Sequence, residues 1–343
     1  MSSNRFGPYS DLASSRPGRR TAMLAAVTLA SAAALLPSVT MAQAYPAAKP
    51  ITLVVPFPPG GPTDASARIV ARGLGAQLGQ QIVVENRAGA GGTVGPGTVV
   101  NAAADGYTLL WAGTSSLAMA PSIYRKLPYD PIKSFTPISQ VVRSPHVLVG
   151  RPDLQPSTIK ELVDAAKAAP GKLSFGSAGG GSSTHLTGEL FEATYGIDLL
   201  HVGYRGGAAA LTDLLGKQID MVFDAAPPLI AHIKTGALKA YAVTGVTRSP
   251  LLPEVPTVQE ALGGEFDAYS WFGLVAPAGT PADIVTLLVE KLRLALADNE
   301  VRGQLTTAGF DVLGTTQAEF RDVIASELQK WTAVVKRTGI ALD

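Results

Sequence analysis

Ile51-Thr-Leu-Val-Val-Pro-Phe-Pro-Pro-Gly-Gly-Pro-Thr-Asp64 decides how the rest of the chain is read. Five apolar or β-branched residues give way to a turn rich in proline and glycine, and an amphipathic pattern follows over 65–78. A strand feeding through a turn into a helix is half of a βα unit. The start of such a helix carries backbone N–H groups without intrahelical acceptors and a partial positive charge, so it seats an anion. Glycine in the turn lets a ligand come close to that backbone. Roughly 120 residues later the arrangement returns as Lys172-Leu-Ser-Phe-Gly-Ser-Ala-Gly-Gly-Gly-Ser-Ser-Thr184, running into a helical pattern over 185–195. Two such seats, one in each half of the chain, suit a protein that grips a small anion at both ends.

Outward from these turns, short apolar runs alternate with helical patterns, as in βαβ units around mostly parallel sheets. Strands are predicted at 51–55, 81–85, 108–112, 145–150, 172–177, 199–202, 221–223, 240–244 and 269–276. Helices are predicted at 64–78, 92–103, 159–169, 183–195, 208–215 and 228–235. The C-terminal part reads as all helix: Pro281 opens 282–297, and Thr316 with Glu319 forms a capping box for a last helix ended by Gly339. No flexible linker separates two independent domains. The expected division is discontinuous, with 45–144 and 266–343 in one lobe and 145–265 in the other. The segments 145–150 and 269–276 would be the crossover strands of a hinge over the ligand cleft.

Residues 1–44 read as a secretory signal: Arg16, Arg19 and Arg20 precede an uncharged alanine-rich run, and Ala42-Gln43-Ala44 offers small residues for cleavage after Ala44 or Ala42. The Arg19-Arg20 pair leaves both the general secretory and the twin-arginine routes open. The expected location is the periplasm. Without that segment the chain carries 24 basic and 26 acidic residues, a balance with no footprint for nucleic acid or anionic lipid. No later run is long and apolar enough for a membrane span, so a soluble, monomeric mature protein is expected. There is no cysteine, and the four histidines (His146, His185, His201, His232) lack metal-ligand spacing. Neither metal nor cofactor is expected.

Individual residues carry competing readings. In the first turn, Phe57, Gly60, Gly61 and Thr63 are candidate ligand contacts, while Asp64 either braces the loop or accepts from a ligand N–H or O–H. In the second, Ser177, Ala178, Gly179, Ser182 and Thr184 bring amides and hydroxyls to one helix start. That run is neither a phosphate-binding loop with a following Gly-Lys-Ser/Thr nor a dinucleotide fingerprint. Thr114 and Ser115 follow the strand at 108–112, and Asp224 ends that at 221–223, so all three should border a cleft beyond the strands' carboxyl ends. Asp224 either accepts from a ligand or caps the helix near Pro227. Tyr204 belongs to the same set, and the adjacent Arg205 is either a ligand cation or solvated. Ser182 with His185 would be the nucleophile and base of a secreted hydrolase; the pair lacks a nucleophile elbow and also reads as helix cap and first-turn residue.

Taken together the chain resembles the Bug family, the extracytoplasmic solute receptors of tripartite tricarboxylate transporters. The resemblance rests on Val55-Pro-Phe-Pro-Pro-Gly-Gly-Pro-Thr-Asp64, Val84-Glu-Asn-Arg-Ala-Gly-Ala-Gly-Gly92, Asp105-Gly-Tyr-Thr-Leu-Leu110, Leu127-Pro-Tyr-Asp-Pro131, Gly176-Ser-Ala-Gly-Gly-Gly-Ser-Ser-Thr-His-Leu186, His201-Val-Gly-Tyr-Arg-Gly-Gly207 and Ala276-Pro-Ala-Gly-Thr-Pro281. Pro59 and Gly207 depart from the family's usual residues. The resemblance implies an α/β, type II periplasmic-binding-protein fold of two lobes around a ligand cleft. It also implies a non-enzymatic receptor for a small carboxylate: a di- or tricarboxylate, an acidic amino acid or an aromatic acid. The partner would be the membrane permease of a tripartite transporter or, in a sensing role, a sensor kinase.

Overall fold

A computed structural model describes residues 45–339 and Gly7; the expected export signal lies outside the described residues apart from Gly7. β1 (Ile51–Val55), β2 (Ile82–Asn86) and β3 (Thr108–Gly113) pair in parallel. Parallel neighbours need a crossover, and α1 (Pro62–Leu78) supplies it between β1 and β2. Its buried residues Ala67, Val70, Ala71 and Leu74 recur every three or four positions. They pack on Leu53, Leu109 and Trp111 of the sheet and on Leu288 and Leu292. Each fully buried Val or Leu side chain contributes about 1.5–3 kcal/mol.

β4 (Phe135–Gly150) is the axis of the molecule. Residues 135–145 pair antiparallel with β9 (Tyr269–Pro277), which joins them to β3. Residues 146–150 pair with β7 (Met221–Ala225) on one side and β8 (Lys239–Val243) on the other. Beyond β7 lie β5 (Ser174–Ser177) and β6 (Leu200–Gly203), both parallel to their neighbours. The order is β2-β1-β3-β9-β4-β7-β5-β6, so the two βα halves share one strand.

The expected strand at 145–150 is therefore only the end of a longer one. Pro137 and Pro145 lack the N–H that a ladder needs and read as strand breaks. The structure absorbs Pro137 at a register shift, between Pro137 and Ser139. Two further expectations are corrected. The helix expected over 92–103 is reduced to α2 (Val94–Val99), preceded by a short 3₁₀ turn, Ala90–Gly92; Gly91 and Gly92 take left-handed φ of +61° and +95°, so the α-spiral starts only after them. The C-terminal region holds β10 (Asp311–Val312) on β4, a two-residue strand too short to leave a periodic pattern.

A π-helical turn, Ser115–Met119, leads into α3 (Ala120–Ile123), and the other α-helices are α4 (Ile159–Ala168), α5 (Ser183–Tyr195), α6 (Gly207–Leu215), α7 (Ala226–Lys234), α8 (Val258–Leu262), α9 (Ala282–Ala297), α10 (Asn299–Thr307) and α11 (Gln317–Thr338). The Thr316/Glu319 capping box forms, and Gly339 ends α11. Trp331, Val334 and Val335 of α11 share one core cluster with Phe191 of α5 and with Phe266. The last helix thus packs against elements of both sheet halves.

Candidate functional site

The first turn is organised by Asp64. Its carboxylate accepts from Gly60 N (3.0 Å), Asn86 Nδ2 (2.9 Å) and Arg68 Nε (2.9 Å). Burial alone would raise its pKa, but these donors outweigh burial and hold the carboxyl below its ordinary value. Asp64 is therefore an ionised brace. Asn86 also donates to Phe57 O (2.9 Å), which places the Phe57–Pro62 loop. α1 then begins at Pro62 with no side-chain cap, so its first-turn N–H groups, Thr63 among them, lack intrahelical acceptors.

At the second turn the amides are occupied by the turn's own side chains. Ala178 N donates to Thr184 Oγ1 (2.8 Å), Gly179 N to Ser177 Oγ (3.1 Å) and Gly181 N to His185 Nδ1 (3.1 Å). Ser183 N donates to Ser115 Oγ (2.9 Å). Ser182 caps α5, accepting from His185 N (3.3 Å). Its oxygen also lies 3.1 Å from Thr184 Oγ1. Because Thr184 and Ser182 each already accept an amide, one of the two hydroxyl protons satisfies the other oxygen and the second is free for a ligand. His185 spends Nδ1 on Gly181, and its Nε2 lies 3.1 Å from Glu189 Oε1. The imidazole is thus turned away from Ser182, which breaks the hydrolase pairing.

Between the turns lies a chamber enclosing about 520 Å³ including its mouth. Phe57, Gly61 and Thr63 of the first turn line it, with Ser115, Ala178, Ser182, Thr184 and Asp224. Gly179 and Tyr204 line a wider outer chamber that also touches Phe57 and Ala178. Gly60, Asp64, Thr114 and Ser177 are not among the lining residues of either chamber. Thr114 Oγ1 accepts from Trp271 N (2.9 Å), and Ser177 Oγ bonds His201 Nε2 (2.7 Å). They support the wall from behind. Tyr204 gives its hydroxyl to Asp213 (2.8 Å).

Sequence reasoning missed Ser183, Ser270, Phe272 and Gly206, all in the inner wall. Ser183 and Ser270 hydroxyls are 2.9 Å apart, Ser270 is 2.7 Å from His146 Nε2, and His146 Nδ1 is 2.8 Å from Thr187 Oγ1. Burial pushes the His146 imidazole down to about 3, so it is neutral, with one donor and one acceptor nitrogen. With the proton on Nε2, Ser270 accepts from His146 and its own O–H is released toward Ser183 or the chamber. An anion in the chamber favours that tautomer. Arg205 is exposed at the junction of the two chambers and forms no ion pair among the described residues.

Asp224 does not cap a helix as one reading expected. The N-cap of α7 is Ala225, and among the described residues Asp224 Oδ1 accepts only the adjacent Ala225 N–H (2.8 Å). Burial pushes its pKa up to about 7 against that one bond. The second turn also meets Tyr124 and the 3₁₀ segment Ala90–Gly92 across the opening. Tyr124 OH donates to Gly180 O (3.3 Å), and a Cβ on Gly91 would overlap the same carbonyl.

Residues 66–340 match the family described as the tripartite tricarboxylate transporter family receptor, TctC. The periplasmic binding protein BugD is 38% identical, with a TM-score of 0.82 over 86% of this chain and 99% of its own. Rpa4515 of R. palustris, solved with adipate, is 33% identical with a TM-score of 0.83, over 87% of this chain and 99% of its own. MatC (Rpa3494) of Rhodopseudomonas palustris, solved with bound malate, is 32% identical with a TM-score of 0.81, over 84% of this chain and 99% of its own. The α/β architecture is that of the periplasmic binding proteins.

Proposed function

The chain belongs to the tripartite tricarboxylate transporter receptor family, and from that premise we propose that it captures a small dicarboxylate between the two glycine turns and delivers it to a tripartite-type membrane permease. Members of this family are solute receptors rather than enzymes. The observation that carries the ligand class is the chamber wall: six hydroxyl residues (Thr63, Ser115, Ser182, Ser183, Thr184, Ser270) and the open start of α1 converge there, with Arg205 at the mouth. Such a wall offers many hydrogen-bond donors and one cation, which suits a carboxylate. The relatives solved with adipate and with malate carry dicarboxylates. In this reading, residues 1–44 direct export. Segments 45–144 and 266–343 form one lobe, 145–265 the other, and closure bends β4 near Pro145 together with the chain entering β9.

A thermal-shift screen over mono-, di- and tricarboxylates, acidic amino acids and aromatic acids tests the ligand class. A ligand at 100 times its Kd adds about 2.7 kcal/mol to the folded state, so one dicarboxylate should raise Tm by several degrees. If no carboxylate at millimolar concentration moves Tm, the receptor reading of this chamber fails. Small-angle scattering with the best hit should show a smaller radius of gyration. An unchanged radius at saturation would mean that the chamber binds without closure.

A further inference from the structure

Two aspartates stand near the chamber, and they are in opposite electrostatic situations. Asp64 accepts from three donors, one of them Arg68. Asp224 is 4% exposed and lines the chamber itself, yet its one hydrogen bond among the described residues comes from the neighbouring Ala225 N–H, to Oδ1. Oδ2 is left beside Gly207, where an added Cβ would overlap it. Glycine at 207 therefore leaves Oδ2 the room that a side chain there would take.

We propose that Asp224 is held as the neutral acid and donates its O–H to a carboxylate oxygen of the bound ligand, so that each anion binds together with one proton. This rests on the carboxylate-receptor reading above. Two ionised carboxylates facing each other in a poorly solvated chamber repel strongly, and a shared proton turns that repulsion into a charge-assisted hydrogen bond. Burial has already moved Asp224 in this direction before any ligand arrives, and an incoming anion moves it further.

The other charged and titratable groups around β7 do not supply a substitute partner. Asp213 of α6 takes the Tyr204 hydroxyl. His146 of β4 is neutral between Ser270 and Thr187. His185 of α5 is held by Gly181 and Glu189, Asp64 of the facing turn is paired with Arg68, and His232 and Lys234 sit in the far turn of α7. Arg205 shares the chamber without an ion pair to Asp224, which leaves it for the ligand's outer charge.

The opposite assignment is an ionised Asp224 gripping a ligand ammonium, as an amino acid would require. One substitution separates the two. Asp224→Asn keeps an N–H donor at the same place and removes the charge. Calorimetric titrations of malate and of adipate, between pH 7 and pH 9, use probes ionised throughout by ordinary carboxylate values. The wild-type affinity for whichever binds should fall toward about tenfold per pH unit above the midpoint of the acid. Asp224→Asn should bind within about threefold of the wild type at pH 7, with that pH dependence gone, and Asp224→Ala should bind at least about tenfold more weakly. A wild-type affinity independent of pH, or loss of binding in Asp224→Asn, would overturn the acid-donor assignment and leave the receptor reading standing. Failure of both probes at every pH would remove the dicarboxylate reading itself, and this inference with it.

Discussion

At the first glycine turn a single carboxylate, Asp64, gathers Gly60, Asn86 and Arg68 around itself and leaves the start of α1 uncapped. At the second, no charged group does this work: Ser177, Thr184, His185 and Ser115 take up the amides of Gly179, Ala178, Gly181 and Ser183. Sequences that read alike as glycine-rich helix starts therefore offer a ligand different chemistry. The first presents backbone N–H groups. The second has spent four of its amides on side chains and presents hydroxyls whose protons can turn. One seat is rigid and charge-braced, the other adaptable.

The largest effect should come from removing the brace. Asp64→Ala leaves the half-buried Asn86 amide, the Gly60 N–H and the Arg68 guanidinium without their acceptor, and should cost about 2–3 kcal/mol in denaturant unfolding. The folded pKa of Asp64 is lowered, so its contribution is complete above its unfolded value and is lost as pH falls through the folded one. The difference between wild type and Asp64→Ala should accordingly shrink below about pH 4. A difference that persisted unchanged in acid would mean the carboxylate charge is not what holds this turn.

Backbone strain should separate the turns next. Gly179 has φ +120°, and a Cβ there would stand 2.9 Å from Tyr204 O, so Gly179→Ala should cost about 1–3 kcal/mol. Gly61 has φ −84° and nothing within 4 Å of a Cβ; Gly61→Ala should leave Tm within about a degree while weakening the binding of a dicarboxylate that docks on α1. Equal loss of stability in the two variants would erase the distinction drawn between the turns. Ser182→Ala removes only the α5 cap and one hydroxyl, worth about 1 kcal/mol, visible in a urea titration.

An oppositely signed effect is expected at Asp224. Its folded pKa, about 7, lies above the ordinary carboxylate value. The cost of ionising it is therefore absent below the unfolded pKa and complete above about 7. Asp224→Asn should melt higher than the wild type at pH 8.5 and level with it near pH 4. A variant that melted lower at pH 8.5 would show an ionised carboxylate that is well satisfied.

The local patterns were enough to place β1, α5, the Thr316/Glu319 capping box and the Gly339 terminus, because a strand's apolar run and a helix's cap are written in neighbouring residues. They also located both glycine turns and much of the chamber wall, since the residues beyond strand ends in an α/β sheet face a common crevice. The extent of β4 was not legible: its prolines argue locally against a strand, and only pairing with β9 from more than 120 residues away accommodates them. The Ser183–Ser270–His146–Thr187 chain was invisible for the same reason, its bonded pairs being 41 to 124 positions apart along the sequence. Asp64 and Asp224 are the sharpest case. Each is an aspartate at the end of a strand–turn unit, and composition treats them as equals. Only the folded chain sets three donors around one and a single amide beside a glycine around the other, because the charge a carboxyl carries depends on what the tertiary structure leaves it to bond.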